Sequence, residues 1–254
     1  MTDTRLHADE VNRTFGDVAA LTAVNLDVPA AAVTALVGPN GSGKTTLLRL
    51  LAGLDEPTAG TVAYHGPAAT REVGYLPQRP SFRPGFTVAE TLGFYARLVD
   101  DDPDRLVERV GLSAAADRCI EALSGGMTRL VGVAQSLAGS PPVVVLDEPG
   151  SGLDPEATAR VFDVVERLAA DGRTVVISSH DLALVERTAD CVAVLDGGEL
   201  VAHDSPAGLR ASWGGPLVET VVDHVDGITT TPADEDTTAQ ASITGTDTTR
   251  EADQ

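Results

Sequence analysis

The stretch Val33-Thr34-Ala35-Leu36-Val37, followed by Gly38-Pro39-Asn40-Gly41-Ser42-Gly43-Lys44-Thr45-Thr46, decides how the rest of the chain is read. A compact apolar and β-branched run that stops at a glycine reads as a buried strand. Leu47, Leu48, Leu50 and Leu51 then recur at helical spacing up to Gly53. The order is strand, glycine-rich loop, helix, and residues 38–45 fit the phosphate-binding pattern G-x-x-x-x-G-K-[ST]. Glycines let consecutive backbone N–H groups curl around a phosphate without a Cβ in the way. The positive end of the next helix faces the same anion. Lys44 is placed to reach the β- and γ-phosphates, and the Thr45 hydroxyl to ligate Mg²⁺. Lys44 is also the only lysine; every other basic residue is arginine. A compact ammonium therefore stands in the one slot that asks for it. The pattern implies ATP or a related nucleotide, but a kinase, a GTPase and a motor would share it.

A second element narrows the chemistry. Val143-Val-Val-Leu-Asp147-Glu148-Pro149 is an apolar strand that delivers two acids at its carboxyl end, the edge where parallel sheets bind ligands. Asp147 there would hold Mg²⁺ and Glu148 would polarise an attacking water as general base. An acidic turn after a core strand is the plain alternative, and the phosphate loop upstream weighs against it.

Working outward, Thr87-Val-Ala-Glu90 has the form of a capping box for a helix to about Val99. Asp102-Pro103 opens a helix ending near Gly111, and Asp154-Pro155 opens one stopped by Gly172. Thr174–Ser178 is a buried strand, and Cys191–Leu195 with Glu199–His203 flank a hairpin turn at Asp196-Gly-Gly198. Residues before 37 read as short strands with turns. The expected fold is α/β: a P-loop NTPase with a mainly parallel sheet core, covered on both faces by amphipathic helices.

The chain carries 38 acidic and 18 basic residues, a net charge of −20, which argues against nucleic acid and bare anionic membrane as partners. Acidic, lysine-poor composition is similar to that of proteins adapted to high salt. Cys119 and Cys191 are far apart, without His or Cys at metal-ligand spacing, and read as plain thiols of a reducing compartment. The start lacks a signal-peptide core, and no stretch approaches the ~20 apolar residues of a membrane span. From residue 224 the composition turns Thr- and Asp/Glu-rich, so 224–254 is expected to be a disordered acidic tail on a domain of residues 1–223.

With these pieces in place, residues 5–210 resemble the ABC transporter ATP-binding family. Leu123-Ser124-Gly125-Gly126-Met127, ahead of the Asp147 strand and before a helix expected from about Thr128 to Ala138, looks like the family's signature motif. The resemblance implies a small antiparallel β subdomain and a helical subdomain, about 79–140, that carries the signature. It implies further roles: Phe15 stacking on adenine, Gln78 sensing Mg²⁺ and the attacking water, and Ser151-Gly152-Leu153-Asp154 crossing a dimer interface. His180 would contact the γ-phosphate. The bland alternatives are a core Phe15 and a helix-capping Asp154. Met127, Leu130 and Gly150 depart from the family's usual Gln, Arg and Thr.

The function implied is ATP hydrolysis in a head-to-tail dimer, homo- or heteromeric. Each signature would close the other subunit's ATP–Mg²⁺ and drive separate transmembrane permease subunits, gripped through residues 79–98, at the cytoplasmic membrane face. The stretch 125–137 resembles export-type subunits. The competing readings are a soluble ABC ATPase without a channel, of the iron–sulfur assembly kind, and an unrelated P-loop kinase. DNA-repair and translation relatives fit worse, for want of a coiled-coil insertion or a second phosphate loop.

Overall fold

The computed structural model describes residues 3–224. Its centre is a six-stranded sheet built from β3 (Val33–Val37), β5 (Val73–Leu76), β6 (Val143–Leu146), β7 (Thr174–Ser178), β8 (Cys191–Asp196) and β9 (Glu199–Asp204). The order is β5-β6-β7-β3-β8-β9; all neighbours are parallel except β8 and β9, which form the expected hairpin. β3, β6 and β7 are buried at every residue because both sheet faces are covered. Val144 and Leu146 point into the core shared with the helices, while Val143 and Val145 point to the opposite one.

That opposite core holds α1 (Lys44–Leu51), clamped between the main sheet and a three-stranded antiparallel sheet of order β2-β1-β4. Here the expectation of short strands fails. β1 (Thr4–Phe15) and β2 (Val18–Pro29) are twelve residues each, and β4 (Ala59–Tyr64) completes the sheet. The misreading has a physical cause. Buried positions run Leu6, Ala8, then Val11, and Leu21, then Val24, Leu26, Val28, so the period of two slips once in each strand. Glu10 (φ 47) and Ala23 (φ 45) are left-handed bulge residues at those slips. Their N–H groups are taken up by Asn25 (2.9 Å) and Asn12 (3.0 Å), so the two asparagines stabilise the bulges reciprocally.

The helices are α2 (Val88–Leu98), α3 (Pro103–Arg109), α4 (Gly125–Ser136), α5 (Pro155–Ala170), α6 (Leu182–Thr188), α7 (Pro206–Trp213) and α8 (Leu217–His224). Thr87 and Glu90 form both halves of the capping box, and Asp102 and Asp154 cap α3 and α5 with Pro behind each. Gly172 (φ 86) follows the end of α5. α2, α3 and α4 make the helical subdomain. α4 starts three residues earlier than expected: glycines weaken a helix interior, but in the first turn a cap at Ser124 suffices. The acidic tail lies outside the described residues, save that His224 closes α8. No helix among the described residues is long and apolar enough to cross a membrane.

Both cysteines are free, and the structure adds a neighbour to one of them. The β8–β9 hairpin brings Cys191 Sγ to 3.0 Å from His203 Nε2, a neighbour that sequence spacing hides. Burial pushes the thiol up to about 11 and the imidazole down, so both are neutral near pH 7. No group of three metal-ligating side chains exists among the described residues.

Candidate nucleotide site

The loop after β3 is shaped by its glycines. A Cβ on Gly38 (φ 149) would lie 2.1 Å from the Leu195 carbonyl oxygen, and one on Gly43 (φ 99) 2.6 Å from that of Ala20. α1 then begins with Gly43 as its N-cap and no side-chain cap, whereas α2 through α7 each have one. The first-turn N–H groups of α1 thus remain open to an anion. Asn40, Gly41, Lys44, Thr45, Thr46, Gln78 and Glu148 share one cleft of about 310 Å³ with them. Lys44 is 8% exposed, and its ammonium donates to the carbonyls of Gly38 (2.7 Å) and Pro39 (2.9 Å). Burial lowers its pKa, while Glu148 and Asp147 act in the opposite sense.

The two acids are held from below. Thr45 Oγ1 donates to Asp147 Oδ2 (2.9 Å), and Ser178 Oγ donates to Oδ1 (2.7 Å). The Tyr75 hydroxyl lies 3.5 Å from Oδ2, its phenol pushed up to about 12 by burial and then by Asp147. A hydroxyl and a carboxylate side by side, both hard oxygen donors, suit Mg²⁺. Glu148 is buried and sits at φ 48, a left-handed conformation that costs a non-glycine residue about 1–3 kcal/mol and marks functional turns. Its N–H donates to Ser178 Oγ (2.8 Å) and its Oε2 lies 2.9 Å from His180 Nδ1. That hydrogen bond raises the His180 pKa, with burial opposing it.

Of the remaining predicted residues, Gln78 is exposed in the cleft, with its backbone carbonyl bound by Arg129 Nη1 (2.6 Å). Phe15 is 50% exposed, outside both apolar cores, and carries the Arg13 guanidinium 4.6 Å above its ring. It does not line the cleft with the loop. Ser124 caps α4 through the Met127 N–H (3.3 Å); Ser124 and Gly125 are exposed and Gly126 is packed on Ala157. Ser124, Gly126 and Met127 line a different cavity with Asp154, and no residue is common to it and the phosphate-loop cleft. Asp154 caps α5 through the Ala157 N–H (2.8 Å). Ser151, Gly152 and Leu153 share a further cleft with Glu148 and His180, so Glu148 stands between that cleft and the phosphate loop.

Two of the departures, Gly150 and Leu130, have packing reasons. A Cβ on Gly150 would come within 3.2 Å of Thr158 and 3.3 Å of the Phe162 ring, and Leu130 is 7% exposed in the helical core. Sequence reasoning missed Ser178, Tyr75 and Arg129. Ser178 was legible only as strand; its role follows from β7 lying beside β6, with Ile177 opposite Leu146.

Fold and site together define a P-loop ATPase with an inserted helical subdomain. Residues 21–151 match the family model described as "ABC transporter". The Nod factor export ATP-binding protein I of Cupriavidus pinatubonensis is 33% identical over 87% of this chain and 73% of its own length. The daunorubicin resistance ATP-binding protein DrrA3 of Streptomyces coeruleorubidus is 33% identical over 87% and 75%. The methionine import ATP-binding protein MetN of Caulobacter vibrioides is 38% identical over 76% and 64%. Among solved structures, an ATP-binding subunit of an ABC transporter superposes with TM-score 0.76 at 25% identity, covering 87% of this chain and 99% of that one. A dimeric bacterial ABC transporter cassette gives 0.70 at 25% identity, covering 79% and 98%. The chain belongs to the ABC transporter family as an ATP-binding subunit, an ATPase.

Proposed function

We propose that this subunit hydrolyses ATP in a head-to-tail dimer, each α4 start closing the partner's phosphate-loop cleft, and so drives separate membrane subunits at the cytoplasmic face. The observation that carries the reading is that the phosphate-loop cleft and the cavity at the exposed start of α4 share no lining residue. A single copy leaves each cleft with one wall.

In this reading Lys44 leaves its loop carbonyls for the β- and γ-phosphates, and the N–H groups of residues 41–46 hold the same phosphates. Thr45, Asp147 and Gln78 hold Mg²⁺, which supplies charge neutralisation at the phosphates. Phe15 offers its exposed ring to adenine. Glu148 takes a proton from the water that attacks the γ-phosphorus; the bond to ADP breaks and phosphate leaves. His180 orients the Glu148 carboxylate and faces the γ-phosphate. Ser124, Gly125, Gly126 and Met127 face the partner's phosphates, with Leu123 behind them and Ser151–Asp154 at the interface. Closure pulls on the membrane subunits through residues 79–98, a reading supported by exposed Phe94 and Leu98 on α2. The partner ATPase is a second copy or a related chain. The relatives named for Nod factor export support an export-type transporter.

Glu148→Gln tests the sandwich. Turnover should fall by about 10²- to 10⁴-fold, as for loss of a general base. Sedimentation with ATP and Mg²⁺ should show a trapped dimer. A nucleotide-loaded variant that sediments only as monomer overturns the reading.

A further inference from the structure

Arg129 lies in the second turn of α4, 8% exposed, and forms no ion pair among the described residues. Its Nη1 donates to the Gln78 carbonyl (2.6 Å) and its Nη2 to the Ser151 carbonyl (3.2 Å). An unpaired guanidinium in the interior carries a desolvation cost that an apolar side chain of equal volume would not. Burial accordingly lowers its pKa, with Asp147 and Glu148 opposing from a distance. What an apolar side chain cannot do is bind two carbonyls at once, and the rigid planar fork holds the two in a fixed relative geometry.

The two carbonyls belong to the loops on either side of Glu148: Gln78 lines the phosphate-loop cleft, and Ser151 the cleft with His180. A second arginine extends the strap. Arg71 donates to the carbonyls of Gln135 (3.4 Å) and Ala138 (3.3 Å) at the end of α4, and to that of Val73 (3.1 Å) in β5, the strand that leads to Gln78. α4 is therefore tied at both ends to the segment that positions Gln78.

We propose that Arg129 is a positioning residue for hydrolysis: its fork sets Gln78 and the 151–154 loop in register around Glu148, and transmits to both the engagement of phosphate at the start of α4. The transmission rests on the head-to-tail reading; the clamp itself does not.

The test uses the full chain with Arg129→Met and Arg129→Lys. In Arg129→Met, kcat should fall about tenfold or more, because small misplacements cost that much, while affinity for a fluorescent ATP analogue stays within about twofold. Amide hydrogen exchange should rise in residues 78–82 and 150–154 with α4 still protected. Arg129→Lys, whose single nitrogen lacks the spread of the fork's two Nη donors, should fall between Met and wild type. Unchanged exchange in both loops with unchanged kcat overturns the clamp. So does a parallel loss of kcat, nucleotide affinity and α4 protection, which marks a merely structural role. A Glu148→Gln variant that stays monomeric with ATP would instead sink the sandwich, and the exchange data would still decide the clamp.

Discussion

The two glycine-rich helix starts, at Gly43 and at Ser124, make opposite use of similar sequences. At the first, the loop is walled by protein: Lys44 and Ser42 are buried, and Gly38 and Gly43 sit against the Leu195 and Ala20 carbonyls. At the second, Ser124 and Gly125 are exposed, the helix has its own side-chain cap, and a Cβ on Gly125 would meet only Leu153 at 3.6 Å. The first is a loop whose own chain packs against it from behind. The second is an exposed surface, which the proposed dimer would cover with the partner's phosphate-loop cleft. Similar glycine-rich helix starts thus end in different surroundings, one uncapped and enclosed and the other capped and exposed, according to what the fold places beside them.

The largest effect that would break this contrast is at Lys44. Lys44→Ala removes the only ammonium of the first start, and ATP turnover should fall by about 10²- to 10³-fold, by analogy with loss of a charge-stabilising donor. Retained activity in a steady-state assay would end the phosphate-loop assignment. A glycine pair sharpens the contrast further. Gly43→Ala forces a side chain into φ 99 against Ala20 and should cost about 1–3 kcal/mol in urea melts as well as nucleotide binding. Gly125→Ala should leave the fold as stable as wild type or about 0.5–1 kcal/mol better, since Ala outperforms Gly in a helix. Its ATP turnover should nevertheless drop, because a methyl now stands where the partner's phosphate would approach. Unimpaired turnover would remove the α4 start from the site.

The smallest effect concerns pH. His180 has its folded pKa raised above the free value of about 6.5, first by its hydrogen bond to Glu148. Any stability from that pair is therefore complete below pH 6.5 and lost as pH rises through the folded value. The His180 side chain is 66% exposed, so the contribution is small. NMR titration should place its midpoint above that of a free histidine, and Glu148→Gln should bring it back down.

Much of this was legible beforehand because it is local. Strand, glycine loop and helix follow from residue type and spacing around Lys44, and the caps at Thr87, Asp102 and Asp154 are short-range chemistry. What misled was also local: the bulges at Glu10 and Ala23 broke the period of two and made two long strands look like several short ones.

The sequence alone determined the P-loop class, the acid pair and the signature, since each is a contiguous run whose chemistry needs its own neighbours. Only the tertiary structure decided that Ser178 bridges Asp147 and Glu148, that Phe15 is exposed while Leu130 is buried, and that Arg129 spans two distant loops. The reason is geometric. Those contacts join residues far apart in the chain, and their partners are fixed by the strand order β5-β6-β7 and by the docking of α4, not by spacing along the sequence.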